Sequence, residues 1–149
     1  MPKLAANLSM LFTEKDFLDR FEAAATCGFE GVEFLFPYEQ SADAIRLALK
    51  ENRLKQALFN MPPGDWPAGD RGTGAVPGRE SEFFSSLELA LDYAGILNCG
   101  QIHVMAGIVK DENARGEAHA TFVANLKRAA PMAAKRGVHL LIEPINNKR

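Results

Sequence analysis

The sequence predicts an α/β protein: a parallel (β/α) barrel of TIM type, of which it holds about the first half, five strands and four helices in one domain over 1–149. Three observations carry this. Short apolar runs of strand type alternate with helical patterns, usually with a glycine at the join, and such a series makes a parallel sheet. The stretch after the first strand, Asn-Leu-Ser-Met-Leu-Phe, has no glycine to cradle a phosphate, which argues against a doubly wound sheet. An eight-unit barrel takes about 250 residues, and 149 supply four units and a fifth strand. The polar run Asn146-Asn147-Lys148-Arg149 stands where a fifth loop and helix are expected, so the chain reads as a barrel cut off partway.

Each element has its own local signal. Lys3 to Asn7 is a first strand, and Thr13, with Asp16 three residues on in capping-box position, opens a helix whose buried stripe is Phe17, Phe21 and Ala24. Gly28 stops it. Gly31 to Phe36 is a second strand ended by Pro37, and Ser41 begins a helix with Ile45, Ala48 and Leu49 on its apolar face. Leu54 to Phe59 is the third strand. From Asn60 to Arg79 glycines and prolines crowd together without periodicity, which predicts a long loop. Glu80 to Asn98 is helical, with Phe84, Leu87, Leu91, Ala94 and Leu97 in its stripe, and Gln101 to Met105 is the fourth strand. The last helix runs from Asp111 to Arg136 with Phe122, Leu126, Ala129, Ala130 and Ala133 inward, and Pro131 is expected to kink or split it. Val138 to Glu143 is a fifth strand stopped by Pro144.

Composition narrows the function classes. With 47% apolar residues, enough to build a core, the chain is globular, and 17 basic against 19 acidic residues leave a net charge of −2. That balance does not attract nucleic acid or anionic lipid. Leu4 to Phe12 is interrupted by Asn7 and Ser9, follows a single Lys3 and lacks a cleavage site, so neither a signal peptide nor a membrane span is expected. Two cysteines, Cys27 and Cys99, each precede a glycine at a helix end and read as reduced structural thiols of a cytoplasmic protein. An open parallel sheet exposes edges at Leu4 to Asn7 and Val138 to Ile142, which predicts self-association.

Barrel chemistry sits at the C-terminal ends of the strands. The polar residues there are Asn7 and Ser9, Glu33 and Tyr38, Asn60, His103 with Met105, and Glu143 with Asn146. Glu143 is the most pointed: it follows an apolar run and precedes Pro144, so it is expected as a buried carboxylate at a strand mouth, needing a metal or guanidinium partner. His103, placed mid-strand, has the chemistry to bond a substrate oxygen or to ligate a metal, while a satisfied core histidine is the more frequent case. His119 and His139 are read as structural. Glu33 and Asn60 receive no settled role. The loop over 60–79 is read as a lid, in which Trp66 offers apolar cover and Arg71 a rigid fork for a carboxylate.

The wording of several segments adds to this. Asn-Leu-Ser-Met-Leu-Phe at 7–12, Gly-Phe-Glu-Gly-Val-Glu-Phe-Leu-Phe-Pro-Tyr at 28–38, Phe-Asn-Met-Pro-Pro-Gly-Asp-Trp at 59–66, Gly-Asp-Arg-Gly at 69–72 and Leu-Ile-Glu-Pro-Ile-Asn at 141–146 together resemble the hydroxypyruvate isomerase family, within the wider xylose-isomerase-like barrel group. The resemblance implies an isomerase that interconverts hydroxypyruvate and tartronate semialdehyde, or acts on a 2-oxo-tetronate, with a divalent metal (Mg²⁺ or Mn²⁺). It also implies two working glutamates. Glu143 matches the first, as catalytic residue and metal ligand, while the second and the remaining ligands would lie beyond residue 149, so the isolated chain is expected to be inactive. Moving a carbonyl between neighbouring carbons takes a proton off one and returns it to the other through an enediolate, which positioned carboxylates can do. Arg71, His103, Trp66 and Asn7 are the candidate substrate-binding residues, for a small hydroxy-keto acid. Two rivals stand beside this reading. An abasic-site endonuclease on a related barrel would want several strand-end histidines and a basic face, and a half-barrel binding module would hold a ligand without turning it over.

Overall fold

The computed structural model describes residues 3–109 and 111–144; Asn146, one of the strand-end candidates, lies outside them. Among the described residues five parallel strands, β1 (Ala5–Asn7), β2 (Gly31–Phe34), β3 (Lys55–Asn60), β4 (Gln101–His103) and β5 (His139–Leu141), form one sheet in chain order. The helices α1 (Arg20–Thr26), α2 (Ala42–Glu51), α3 (Glu80–Leu97) and α4 (Arg115–Lys135) alternate with them. The predicted architecture is therefore the one observed, a half-length (β/α) barrel.

The strands put alternate side chains on opposite faces. Ala6, Val32, Phe34, Phe59 and Ile102 are buried beneath the helices, where Phe21, Ile45, Phe83, Leu87 and Leu91 meet them. This layer between sheet and helices is the core, and a ring such as Phe59 buried there contributes about 1.5–3 kcal/mol. An aromatic chain runs through it, from Phe17 and Phe21 to Phe34, Phe59, Tyr38 and Tyr93, with ring centroids 5.2–6.5 Å apart. The opposite face carries Asn7, Glu33, Leu58, Asn60, His103 and Leu141. It is aligned by the register Asn7↔Glu33, Glu33↔Leu58, Asn60↔His103 and His103↔Leu141. A bulge keeps it so: β2 and β3 slip between Val32 and Glu33, leaving Ala57 as the extra residue, so that Glu33 faces Leu58.

Several local expectations need correction. Thr13 and Asp16 form no capping box: the first helical turn is a 3-10 turn at Phe17–Asp19, and Asp19 caps α1 without a side-chain bond. Arg20 holds this segment instead, donating to the carbonyls of Leu8 at 2.8 Å and Lys15 at 3.0 Å. The helix expected to begin at Ser41 does so, with Ser41 as its N-cap, accepting from the Ala44 amide at 3.2 Å. The α3 stripe runs through Phe83 and leaves Phe84 half-buried. Pro131 does not split α4, which is one helix with Pro131 exposed between the buried Ala129 and Ala133. Asn125, on the same helix, is buried and donates to the carbonyl of Gly74 at 2.9 Å, a tie that periodicity does not reveal.

Candidate active site

At the C-terminal ends of the strands lies a cavity of about 580 Å³ lined by Asn7, Glu33, Asn60, His103, Met105 and Glu143, among others. A second, of about 390 Å³, shares His103, Met105, Ile142 and Glu143 with it and adds Arg71, Ile108 and Phe122. The structure thus brings together four of the five predicted site residues. Asn7 and Glu33 stand on one side, Arg71 on the other, and His103 and Glu143 between.

Each is held in a definite way. Asn7 donates to a Glu33 carboxylate oxygen at 3.0 Å and accepts from the Ser9 amide at 3.0 Å, so it orients Glu33 and the turn after β1. Asn60 ends β3: its amide donates to the carbonyl of Leu35, its carbonyl accepts from the Tyr38 hydroxyl at 2.7 Å, and its side-chain oxygen lies 3.2 Å from His103 Nδ1. Burial pushes the Tyr38 phenol far above its usual pKa, so it stays a donor. His103 is at the C-terminal end of β4 and buried, not mid-strand. Desolvation lowers its pKa, and the Glu143 carboxylate opposes that without overcoming it, so the ring is neutral at pH 7.

Glu143 corrects the expectation of a buried carboxylate. It lies just past β5, the outer strand of the described sheet, and is exposed. With solvent to hydrate it, the charge needs no guanidinium partner. Trp66 is the predicted residue that lines neither cavity. It is 39% exposed and packs on Phe36, ring centroids 5.1 Å apart, with the Arg71 guanidinium 3.7 Å above its ring. Its effect on the site passes through Arg71, which also donates to the carbonyls of Trp66 and Asp70.

The 60–79 loop is anchored along much of its length. Thr73, Gly74 and Ala75 are buried, and the Gly74 and Ala75 amides donate to the carbonyls of Met105 and Ala106. Asp70 and Arg79 pair at 2.7 Å, which sequence spacing does not disclose. Residues 65–69, at the tip, are exposed. Among the described residues no group of three or more His, Cys, Asp or Glu side chains converges to hold a metal ion. A hard divalent ion takes about six oxygen ligands. Glu143 offers one, and the Glu33 carboxylate is engaged by Asn7. These residues do not by themselves fit such an ion. No described helix is long and apolar enough to cross a membrane.

A row of polar groups at the C-terminal strand ends of a parallel α/β sheet places the chain in a class, the (β/α) barrel folds with polar strand mouths, and comparison makes the class specific. Residues 21–149 match the profile of the xylose isomerase-like TIM barrel family, and the chain belongs to it. It is 53% identical to the 2-oxo-tetronate isomerase of Cupriavidus necator and 47% identical to the hydroxypyruvate isomerase of Escherichia coli. Each alignment covers 99% of this chain and 57% of the relative. A crystal structure of an AP endonuclease, family 2, from Brucella melitensis superposes with a TM-score of 0.94 at 50% identity, over 98% of this chain and 56% of that one. The chain spans little more than half the length of the proteins it matches.

Proposed function

We propose that this chain supplies the first half of the active site of an isomerase that moves a carbonyl between neighbouring carbons of a short hydroxy-keto acid, hydroxypyruvate or a 2-oxo-tetronate. The observation that carries the reading is the meeting of Arg71, His103 and Glu143 at one cavity. A guanidinium, a neutral imidazole and an exposed carboxylate match the three parts of such a substrate: its carboxylate, its hydroxyl and the carbon-bound proton between hydroxyl and carbonyl. The names of the Cupriavidus and Escherichia relatives support the same class of reaction.

In this reading Arg71 pairs with the substrate carboxylate through its planar fork, with Trp66 beneath the guanidinium fixing its plane. Glu143 removes the proton from the hydroxyl-bearing carbon, charge develops on the former carbonyl oxygen of the enediolate, and the hydroxyl proton passes from its own oxygen to that one as the carbonyl moves. His103 hydrogen-bonds the oxygen that begins as the hydroxyl. Return of the proton to the other carbon requires a second acid outside the residues described. A divalent ion would add stabilisation of the enediolate oxygens. Glu143 is this chain's candidate ligand, and its remaining ligands would come from outside the described residues, so no step here runs through it. The loop over 60–79 covers one side of the site, its exposed tip acting as the lid.

The name of the Brucella structure raises a nuclease as an alternative. A net charge of −2 and one strand-end histidine favour the small anionic substrate over a DNA backbone. The test is turnover of hydroxypyruvate and of a 2-oxo-tetronate by this chain joined to the second half of the Cupriavidus relative, with Mg²⁺ or Mn²⁺ present. Glu143→Gln keeps the shape, removes the base and is expected to lower kcat about 10²–10⁴-fold. No turnover of either acid by the joined protein, or an unimpaired Glu143→Gln, contradicts the proposal.

A further inference from the structure

Asn60 is buried at 6% exposure on the cavity wall, and its side chain touches two groups of opposite character. Its amide nitrogen is 3.8 Å from the Met105 thioether sulfur, and its amide oxygen is 3.2 Å from His103 Nδ1. A thioether sulfur has lone pairs and no proton, so it accepts and never donates. The amide NH₂ therefore faces Met105, and the oxygen faces the imidazole. An oxygen at that place accepts, so the proton of the neutral ring sits on Nδ1.

The backbone leaves this arrangement little room to change. Asn60 and His103 are register partners across β3 and β4, and the Met61 amide donates to the His103 carbonyl at 3.0 Å. The Tyr38 hydroxyl clamps the Asn60 carbonyl from the other side at 2.7 Å, and Tyr38 is itself packed against Tyr93. A neutral imidazole with Nδ1 protonated has one function left, the lone pair on Nε2.

We propose that Asn60 is a positioning residue that fixes His103 as the Nδ1–H tautomer, so that Nε2 accepts a hydrogen bond and reads a hydroxyl, not a carbonyl, oxygen of the substrate. The choice of oxygen rests on the isomerase reading above; the tautomer does not. In such a substrate the two oxygens sit on neighbouring carbons and exchange roles during the reaction. A ring locked as acceptor distinguishes the end that starts as the alcohol. An Nε2–H ring would bind the other end.

The test reads the tautomer without substrate. Histidine labelled with ¹⁵N gives three side chains, and the exposed His119 and His139 serve as references within the same molecule. At a pH where all three are neutral, His103 is expected to show a protonated Nδ1 and an unprotonated Nε2, while the references show averaged tautomers. Asn60→Leu, which removes the acceptor, is expected to move His103 to an averaged pattern, and Asn60→Asp, which keeps an oxygen there, to restore the Nδ1–H form. In the joined protein Asn60→Leu is expected to raise KM and lower kcat together, with Asn60→Asp recovering part of each. A wild-type His103 protonated on Nε2 overturns the proposal whether or not the variants fold, as does an Asn60→Leu protein with the wild-type pattern. An inactive joined protein with the Nδ1–H tautomer intact would instead refute the isomerase reading.

Discussion

Gly72 joins the 60–79 loop to the strand ends, and replacing it with alanine tests whether that loop is built into the site. Its φ is +107°, and an added Cβ would run into the carbonyl and Cβ of Met105. Gly69, three residues earlier, has a φ of +100° with nothing within 4 Å of an added Cβ. Gly69→Ala therefore carries the backbone strain alone, about 1–3 kcal/mol. Gly72→Ala carries the same strain and an overpacking cost of about 1–3 kcal/mol. Three bonds tie the segment to the rest of the chain, from the Gly74 amide to Met105, the Ala75 amide to Ala106 and the Asn125 side chain to the Gly74 carbonyl, and at about 0.5–1.5 kcal/mol each they sum to about 1.5–4.5 kcal/mol. The strain in Gly72→Ala is as large as the docking energy, so the segment should release before the domain unfolds. Trp66 is the one tryptophan of the chain, so its fluorescence follows the loop, while far-UV circular dichroism follows the helices. Gly72→Ala should show red-shifted Trp66 emission at zero urea with native dichroism. Gly69→Ala should match wild type in emission. Identical emission and urea midpoints for the two variants would refute the clash argument.

Three further outcomes follow from the same structure. A nonspecific protease at low dose should cut first in the exposed tip over 65–69 and spare the buried 72–75; first cuts inside α3 would contradict the element assignment. The 149-residue chain should self-associate through the edges of β1 and β5, and light scattering that shows a stable monomer binding no hydrophobic dye would count against it. In the joined protein Arg71→Lys loses the planar fork but keeps the charge, a change of about 1–2 kcal/mol, or about 5–30-fold in KM, with kcat little altered. An unchanged KM would remove Arg71 from carboxylate binding.

The alternation of strand and helix, the glycine joins and the helix start at Ser41 were legible because each is written within a few neighbouring residues. So was the ring of strand-end polar groups, since a parallel barrel puts them on one rim. What the sequence did not disclose depends on distance or register. The bulge at Ala57 sets which residues of β3 face the cavity, and no local pattern marks it. The Asn125 bond to Gly74 crosses 51 positions, and the contact of Asn60 with His103 crosses 43. Proline and glycine content suggested a loose loop over 60–79; the backbone bonds to Met105 and Ala106 that hold it come from a strand end far along the chain. Glu143 was found by its motif, but its exposure follows from the place of β5 at the sheet's edge, which the motif does not contain.

Whether the 149-residue chain holds half of an isomerase site is read from hydroxypyruvate conversion, with Mg²⁺ or Mn²⁺ present, by that chain and by the joined protein side by side. Among the described residues no metal-holding group of side chains converges, so Glu143 is one candidate oxygen ligand where about six are wanted, and the proposed mechanism takes its second acid from outside the described residues. The chain alone is expected to bind the metal weakly and turn nothing over, and the joined protein to convert the substrate. Full turnover by the 149-residue chain would contradict this.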